Sequence, residues 1–284
     1  MKERDKSATI DGETRISVIA AGFLAGAYAL VEQAVMEPNP LGRHESVGSI
    51  SSSIGEMRES LKLVGPLYHA KELRAWSRRF RMLGLDLRPV RESDRIIEGL
   101  RANRAAAGPG GQRAVAFLAG HYMVLSDLQA AYAANRLERF DVIGKERSFA
   151  KFASAPKGGT AGKVRLRAFA AVILNERMDV LESWIEAASA ADARDVWASL
   201  QTAVCRSLVA LDLSAGCYDA RSLDVARRAL RAIGEAVARV GAADAVLDVV
   251  SDPDMGARAA VAGVLPEDLA DLKVVLESAR SVAV

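Results

Sequence analysis

Residues 223–237, LDVARRALRAIGEAV, decide the fold class because they can form a helix with two chemically different sides. At about 100° per residue, the basic and apolar side chains occupy separate arcs about 130° apart. The basic arc contains Asp224, Arg227, Arg228 and Arg231. The apolar arc contains Leu223, Ala226, Leu230, Ile233 and Val237. The stretch therefore predicts a helix that buries one side and presents planar cations suited to phosphate on the other, with an ordinary solvated face as the alternative.

Composition extends the helical prediction to the whole chain. Half of the 284 residues are hydrophobic but only 5% are aromatic, and alanine and leucine dominate the apolar set, which favours helices over sheets. No sustained alternation with a period of two is present. We therefore predict an all-α protein, long enough for one large domain or two smaller ones.

Proline and glycine divide the predicted helices. Apolar spacing and these breakers predict helices at about 16–37, 45–64, 68–84, 90–103, 112–137, 164–189, 191–212, 219–240, 242–251, a short one after Pro253, and one from Pro266. Residues 1–14 are polar and predicted to be disordered. The segment 154–163, SAPKGGTAGK, is the strongest punctuation and predicts a linker between halves at 15–153 and 164–284.

The first predicted helix is unusually apolar. Residues 16–31, ISVIAAGFLAGAYALV, carry no charge, but 16 residues is short for a membrane span of about 20. The preceding segment is acidic as well as basic, which is atypical of a signal peptide. We interpret the segment as a buried helix, with a targeting signal as the alternative, and expect no membrane partner.

Charge and cysteine content narrow the function. The 38 basic and 36 acidic residues give a net charge of +2, so binding of nucleic acid by bulk charge is not expected. Cys205, Cys217 and the three histidines show no metal-ligand spacing, and we predict no metal and no cofactor. Cysteine usage favours a reducing, cytoplasmic setting, with Cys205 as a small core residue.

No catalytic motif is present in the sequence. The segment Lys157–Lys163, KGGTAGK, lacks both the first glycine and the final Ser or Thr of a phosphate loop. Asp252-Pro253-Asp254 is interpreted as a turn and helix cap. We therefore predict that the protein is not an enzyme.

A second basic helix face precedes the one at 227–231. Lys71, Arg74, Arg78 and Arg81 repeat at helical spacing opposite an apolar stripe of Leu73, Trp76, Phe80 and Leu83. Arg88 and Arg91 follow. Few acidic side chains lie in the centre of this stripe, which favours an anionic partner over a solvated face.

The chain resembles the CHAD family, the conserved histidine α-helical domain. Residues 224–231, DVARRALR, are similar to its His-x-x-Arg-Lys-x-x-Lys motif, with Asp224 in place of the His. Residues 265–276 resemble the closing helix of a repeat, and 87–97 the matching segment of the first half. Between Glu45-Ser46-Val47 and Leu63–Pro66, the first basic helix departs from the family: Gly48 replaces the His, Ser51-Ser52 the Arg-Lys pair, and Arg58 and Lys62 remain basic.

This resemblance implies two pseudo-symmetric helical-bundle repeats that face each other across a basic cleft. It also implies non-catalytic binding of inorganic polyphosphate or similar polyanions, weakened by the lost basic residues, in a cytoplasmic protein that associates with polyphosphate granules. The implied binding residues are Arg58, Lys62, Lys71, Arg74, Arg78, Arg81, Arg91, Arg227, Arg228 and Arg231.

Two alternatives stay open. A degenerate scaffold would keep the fold as a protein-interaction module, with an apolar surface around Ser49–Ile54. An enzyme acting on phosphorylated small molecules is the more distant possibility. The sequence leaves open whether the protein is a homo-oligomer.

Overall fold

The computed structural model describes residues 12–36, 44–157, 161–190 and 194–282. Within these ranges every regular element is helical, and the one β-type pairing is an isolated antiparallel bridge between Arg15 and Arg165. The predicted all-α class is therefore confirmed. Of the predicted disordered tail, residues 1–11 lie outside the described ranges.

In the described ranges, only short segments separate one helix from the next. They are α1 Ile16–Met36, α2 His44–Val64, α3 Ala70–Asn103, α4 Pro109–Phe140, α5 Glu146–Ala153, α6 Leu166–Ala190, α7 Arg194–Leu213, α8 Ala220–Ser251, α9 Pro253–Val261 and α10 Pro266–Val282. Short 3-10 turns lie at Gly65–Leu67, Ile143–Lys145, Ala161–Lys163 and Ala215–Cys217. Part of the predicted linker, residues 158–160, lies outside the described ranges.

The predicted helix break at Pro89 is wrong, because α3 continues through it. Proline removes one backbone donor and costs an interior helix about 3 kcal/mol. Here Pro89 lies on the exposed side, while Leu87 and Val90 are buried on either side of it. An ion pair between Arg88 and Glu92 also spans the proline, at 2.7 Å. Packing of the long helix therefore outweighs the local cost.

The predicted break near residue 241 is also wrong, since α8 is one helix. Gly241 is buried against the guanidinium of Arg95 from α3, so it marks a close contact between helices. Helix α4 continues to Phe140, beyond the predicted end at 137. The short helix α5 was not predicted, although its Phe149 and Phe152 are buried.

One side of α1 lies in the core, as predicted. The hydroxyl of Tyr28 donates to the carbonyl of Val142 at 2.6 Å, and its ring stacks on Phe149 at 4.3 Å. The 21-residue helix has a mean hydropathy of 1.6 over its most apolar window, of which 39% is buried. By length and composition α1 is the one described helix that could cross a membrane, a test that core helices of other proteins also pass.

Three groups of buried side chains hold the helices together. The first joins α1, α2 and α5 with the amino-terminal part of α3, the end of α4, the start of α6 and the end of α7. The second joins the carboxyl-terminal parts of α3 and α8 with the start of α4, α9 and α10. The third joins α6 and α7 with the amino-terminal part of α8. Helices α3, α4 and α8, each longer than 30 residues, therefore each take part in two cores.

Helices α3 and α8 lie very close together at Gly99. A Cβ atom at this position would lie 2.7 Å from the carbonyl oxygen of Ala242 and 2.8 Å from a methyl group of Val246. Real Cβ contacts are longer, and the nearest atom belongs to the backbone of α8. Only glycine permits this separation of the two helices.

We expect Gly99→Ala to lower the free energy of unfolding by about 1–3 kcal/mol, because the methyl group forces α3 and α8 apart. Gly120→Ala in α4 is the matched control, since a Cβ there meets nothing within 4 Å. The control should raise stability by about 0.5–1 kcal/mol, the ordinary helical advantage of alanine. Urea denaturation measures both, and equal stabilisation of the two variants would contradict the close approach.

Candidate polyanion site

Charged side chains from α2, α7 and α8 meet where α2 packs beside α7 and α7 beside α8. We call this group the central charge cluster. Its members are Glu56, Glu59 and Lys62 of α2, Arg206 and Asp212 of α7, and Arg227 and Arg231 of α8. The cluster contains four cations and three carboxylates, so its excess positive charge is small.

Glu59 is the bridge between α2 and α7. One of its carboxylate oxygens accepts a hydrogen bond from Lys62 Nζ at 2.5 Å, and the other accepts from Arg206 Nε at 3.1 Å. The Glu59 side chain is only 14% exposed, whereas Lys62 is 51% exposed. A mostly buried carboxylate needs such partners to stay charged. Arg206 and Lys62 are therefore already engaged in the absence of a ligand.

The arginines of α8 differ in their partners. Arg227 contacts Oδ1 of Asp212 through Nε at 2.9 Å and Nη2 at 2.8 Å, and so joins α8 to α7. Arg228 instead approaches Asp224 of its own helix at 3.4 Å, with both side chains exposed. Arg231 is exposed and acts electrostatically on Glu56 of α2.

Glu56 lies in the same cluster and is only partly exposed. Burial raises its pKa above the usual range, and the nearby Asp212 raises it further; the hydrogen bond from Ser52 and the charge of Arg231 act in the opposite direction. Burial, followed by the charges of Glu59 and Glu56, raises the pKa of Cys205 to about 11. The Cys205 thiol is thus protonated near neutral pH, as expected for a packed cysteine.

The structure brings three of the ten sequence-predicted binding residues into this cluster: Lys62, Arg227 and Arg231. Arg58 lies at the α2–α3 contact, with Nη1 directed at Gly84. The predicted residues of α3 form a separate exposed face and have no recorded contact with the central charge cluster in the described ranges. They are Lys71, Arg74, Arg78, Arg81 and Arg91. The apolar stripe opposite them packs inward, with Trp76, Phe80 and Leu83 buried.

Sequence reasoning missed Arg206 and the three carboxylates. A signal for two of them was present, because Arg206 and Asp212 are the only charged residues between Trp197 and Leu213. Isolated charges on an otherwise apolar helix require partners from neighbouring elements. Glu56 and Glu59 gave no such signal, since α2 carries other charges at similar spacing.

Comparison with known proteins identifies the fold. No family model matches the sequence, and no curated protein matches it. The structure is similar to the CHAD domain from the plant Ricinus communis, with a TM-score of 0.66 and 16% identity over 98% of this chain and 96% of that one. It is also similar to PptA from Streptomyces chartreusis, with a TM-score of 0.64 and 16% identity over 94% and 97% of the two chains.

The chain therefore has the fold of a CHAD domain over nearly its whole length. The resemblance predicted from residues 224–231 and from the segments around it is confirmed as a resemblance of fold. At 16% identity the likeness carries no binding residue from one protein to the other.

We expect Glu56→Gln to stabilise the protein increasingly as the pH rises. The raised pKa means that the folded state favours the protonated carboxyl of Glu56. The contribution of this carboxyl to the free energy of unfolding is therefore present at low pH and is lost as the pH rises through the folded pKa. Glutamine keeps an acceptor for Ser52 but carries no charge at any pH. Unfolding midpoints measured between about pH 4 and 8 should diverge toward the alkaline end.

Glu235→Gln serves as the control, because Glu235 is exposed on α8. Its midpoint should follow that of the wild type throughout. If the unfolding midpoints of the wild type and of Glu56→Gln differed by the same amount at every pH, that result would contradict the effect of burial on the pKa of Glu56.

Proposed function

We propose that the protein binds inorganic polyphosphate or similar phosphate-rich polyanions without catalysing a reaction. The observation that carries this proposal is the meeting of Lys62, Arg206, Arg227 and Arg231 from three helices, in a chain with a CHAD-domain fold. The exposed basic face of α3 is a second, separate cationic surface. Guanidinium groups suit this role because they bind phosphate oxygens through two parallel hydrogen bonds.

The proposal includes two pseudo-symmetric repeats related by a shift of 150 residues. Helices α1 and α6 begin at residues 16 and 166, α2 and α7 at 44 and 194, and α3 and α8 at 70 and 220. The contacts follow the same shift: Gly84 faces Ile54, and Gly234 faces Val204. With this correspondence, Arg78 and Arg81 of α3 match Arg228 and Arg231 of α8. A polyanion thread would then contact equivalent arginines on both long helices.

Binding should be weak and strongly dependent on salt. Phosphate groups must displace Asp212 from Arg227 and Glu59 from Arg206 before they pair fully with these arginines. The carboxylates also repel the ligand until they are displaced. Each ionic contact that forms releases counterions, so affinity falls as the salt concentration rises.

A reducing, cytoplasmic location and the absence of catalysis belong to the same proposal. The raised pKa of Cys205 disfavours this one cysteine as a nucleophile, because a nucleophilic cysteine requires a lowered pKa. Polyphosphate granules are the implied site of association in the cell.

We expect replacement of Arg227, Arg228 and Arg231 by alanine to weaken binding of long-chain polyphosphate about tenfold or more, since hydrogen bonds to charged groups are the strong ones. The slope of log affinity against log salt should fall by about 2, at about 0.7 per phosphate contact. Titrations at several salt concentrations, with ATP and DNA in parallel, measure both quantities. Arg101, Arg104 and Arg147, exposed elsewhere, are replaced together as the control. Wild-type affinity in the first variant would refute the site.

The second candidate is a scaffold that has lost polyanion binding. It is favoured by the carboxylates in the central charge cluster and by an exposed apolar face on α4, where Val124, Leu128 and Tyr132 are 63%, 67% and 60% exposed. The prediction of an apolar surface around Ser49–Ile54 is wrong, because Ile50 and Ile54 are buried where α2 packs into the core. The same titration decides between the candidates, since the scaffold gives no response to polyphosphate.

A further inference from the structure

A hollow of about 300 Å³ opens between α3 and α4, away from the central charge cluster. Four arginines line it: Arg78 and Arg79 from α3, and Arg136 and Arg139 from α4. Asp86 is the one carboxylate among the lining residues. The sequence predicted only Arg78 as a binding residue, because the other three become neighbours through the packing of α4 on α3.

Two of these arginines are held in place by protein groups. The guanidinium of Arg79 lies over the ring of Trp76, 4.7 Å from its centroid. Nε of Arg136 donates to Asp86 at 3.1 Å, and both side chains are mostly buried. Arg136 still has donors to spare, because a guanidinium carries five N–H groups.

The other two arginines, Arg78 and Arg139, are exposed, and neither forms an ion pair in the part of the chain that the structure describes. They lie on opposite sides of the hollow, one on each helix. An anion between the two helices would therefore meet unengaged guanidinium groups from both sides. A hollow walled by like charges from two elements is suited to an anionic ligand.

Acidic groups nearby act mainly at the Arg79 end. Glu32, Asp141 and Glu146 surround Tyr28, and Arg79 acts on the same hydroxyl with the opposite sign. Lys145 adds a positive charge there, since its ammonium donates to the carbonyl of Phe140. The pKa of Arg136, by contrast, responds to Asp86 and Tyr132. Because Arg79 is also held over the ring of Trp76, the phosphate is assigned to the other three arginines, Arg78, Arg136 and Arg139.

The remaining wall is apolar and sets the kind of ligand. Met82 and Phe140 line the hollow beside the arginines, and Phe140 packs on Phe80 with ring centroids 5.5 Å apart. A volume of about 300 Å³ is at the lower end for small-molecule sites, which combine apolar walls with a few polar groups. A bare phosphate ion would leave this apolar wall in contact with water.

We propose that this hollow binds a small phosphate monoester whose organic part is apolar, with the phosphate held by Arg78, Arg136 and Arg139 and the organic part against Met82 and Phe140. The hollow shares no residue with the central charge cluster, although its Arg78 also belongs to the basic face of α3 that the proposed function includes. Binding in the hollow therefore differs from polyphosphate binding in requiring Arg136 and Arg139 of α4.

Calorimetric titration with phenyl phosphate tests the proposal in the full-length chain. Replacing Arg78 and Arg139 together by alanine should weaken binding at least about tenfold, since each loses a charge-assisted contact. Replacing Arg101 and Arg104 together removes the same charge at the far end of α3 and should leave binding unchanged. Wild-type affinity in the first double variant, with an unchanged unfolding midpoint, would overturn the site.

Two further measurements test the apolar wall. Orthophosphate should bind the wild type more weakly than phenyl phosphate, and Met82→Glu should abolish binding of phenyl phosphate, because it places a carboxylate in the hollow at a side chain that is 45% exposed. Equal binding of the two phosphates would overturn the ligand class. The variant lacking Arg227, Arg228 and Arg231 should bind phenyl phosphate normally, which separates this site from the polyanion site.

Discussion

The close approach of α3 to α8 at Gly99 is the constraint on which the other helix positions depend. Both helices exceed 30 residues, and both pass from one core into the shared core with α9 and α10. Fixing them together at residues 99 and 242 therefore sets where their amino-terminal parts lie. Those parts carry the basic faces, so the placement of the arginines follows from the contact of Gly99 with the backbone of α8.

The charges of the central cluster stabilise the protein only modestly as ion pairs, because most of the participants reach solvent. If the protein binds polyanions as proposed, the larger effect of these charges is on which anions can bind. Glu59 is paired with both Lys62 and Arg206, and Asp212 contacts two nitrogens of Arg227. A ligand with a single phosphate gains little by replacing these partners. A chain of phosphates can engage several cations at once, including the exposed Arg231, and so competes more effectively.

Apolar spacing predicted most helices because their buried stripes are long and regular, and the starts of α1, α2 and α10 agree with the structure to within one residue. It failed at Pro89 and Gly241, where local helix propensity opposes the packing of a long helix. The short α5 was missed because eight residues give too little periodicity. At the site, the exposed face of α8 was predictable from one helix. The carboxylates opposite it were not, since their positions depend on how α2 and α7 pack.

The basic residues are distributed over helices of both halves of the chain, and neither the pair α2 and α7 nor the pair α3 and α8 shows this distribution alone. The family motif was matched to α2 in the first half but to α8 in the second, and these helices do not correspond under the proposed shift of 150 residues. Under that shift the counterpart of α2 would be α7, where Ala198, Gln201 and Thr202 occupy the positions of Gly48, Ser51 and Ser52. Both helices are thus uncharged at the motif positions. Lys62 of α2 and Arg206 of α7 lie away from those positions, and the proposed polyanion site combines them with Arg227 and Arg231 of α8, while α3, the counterpart of α8 under the proposed shift, carries a separate basic face.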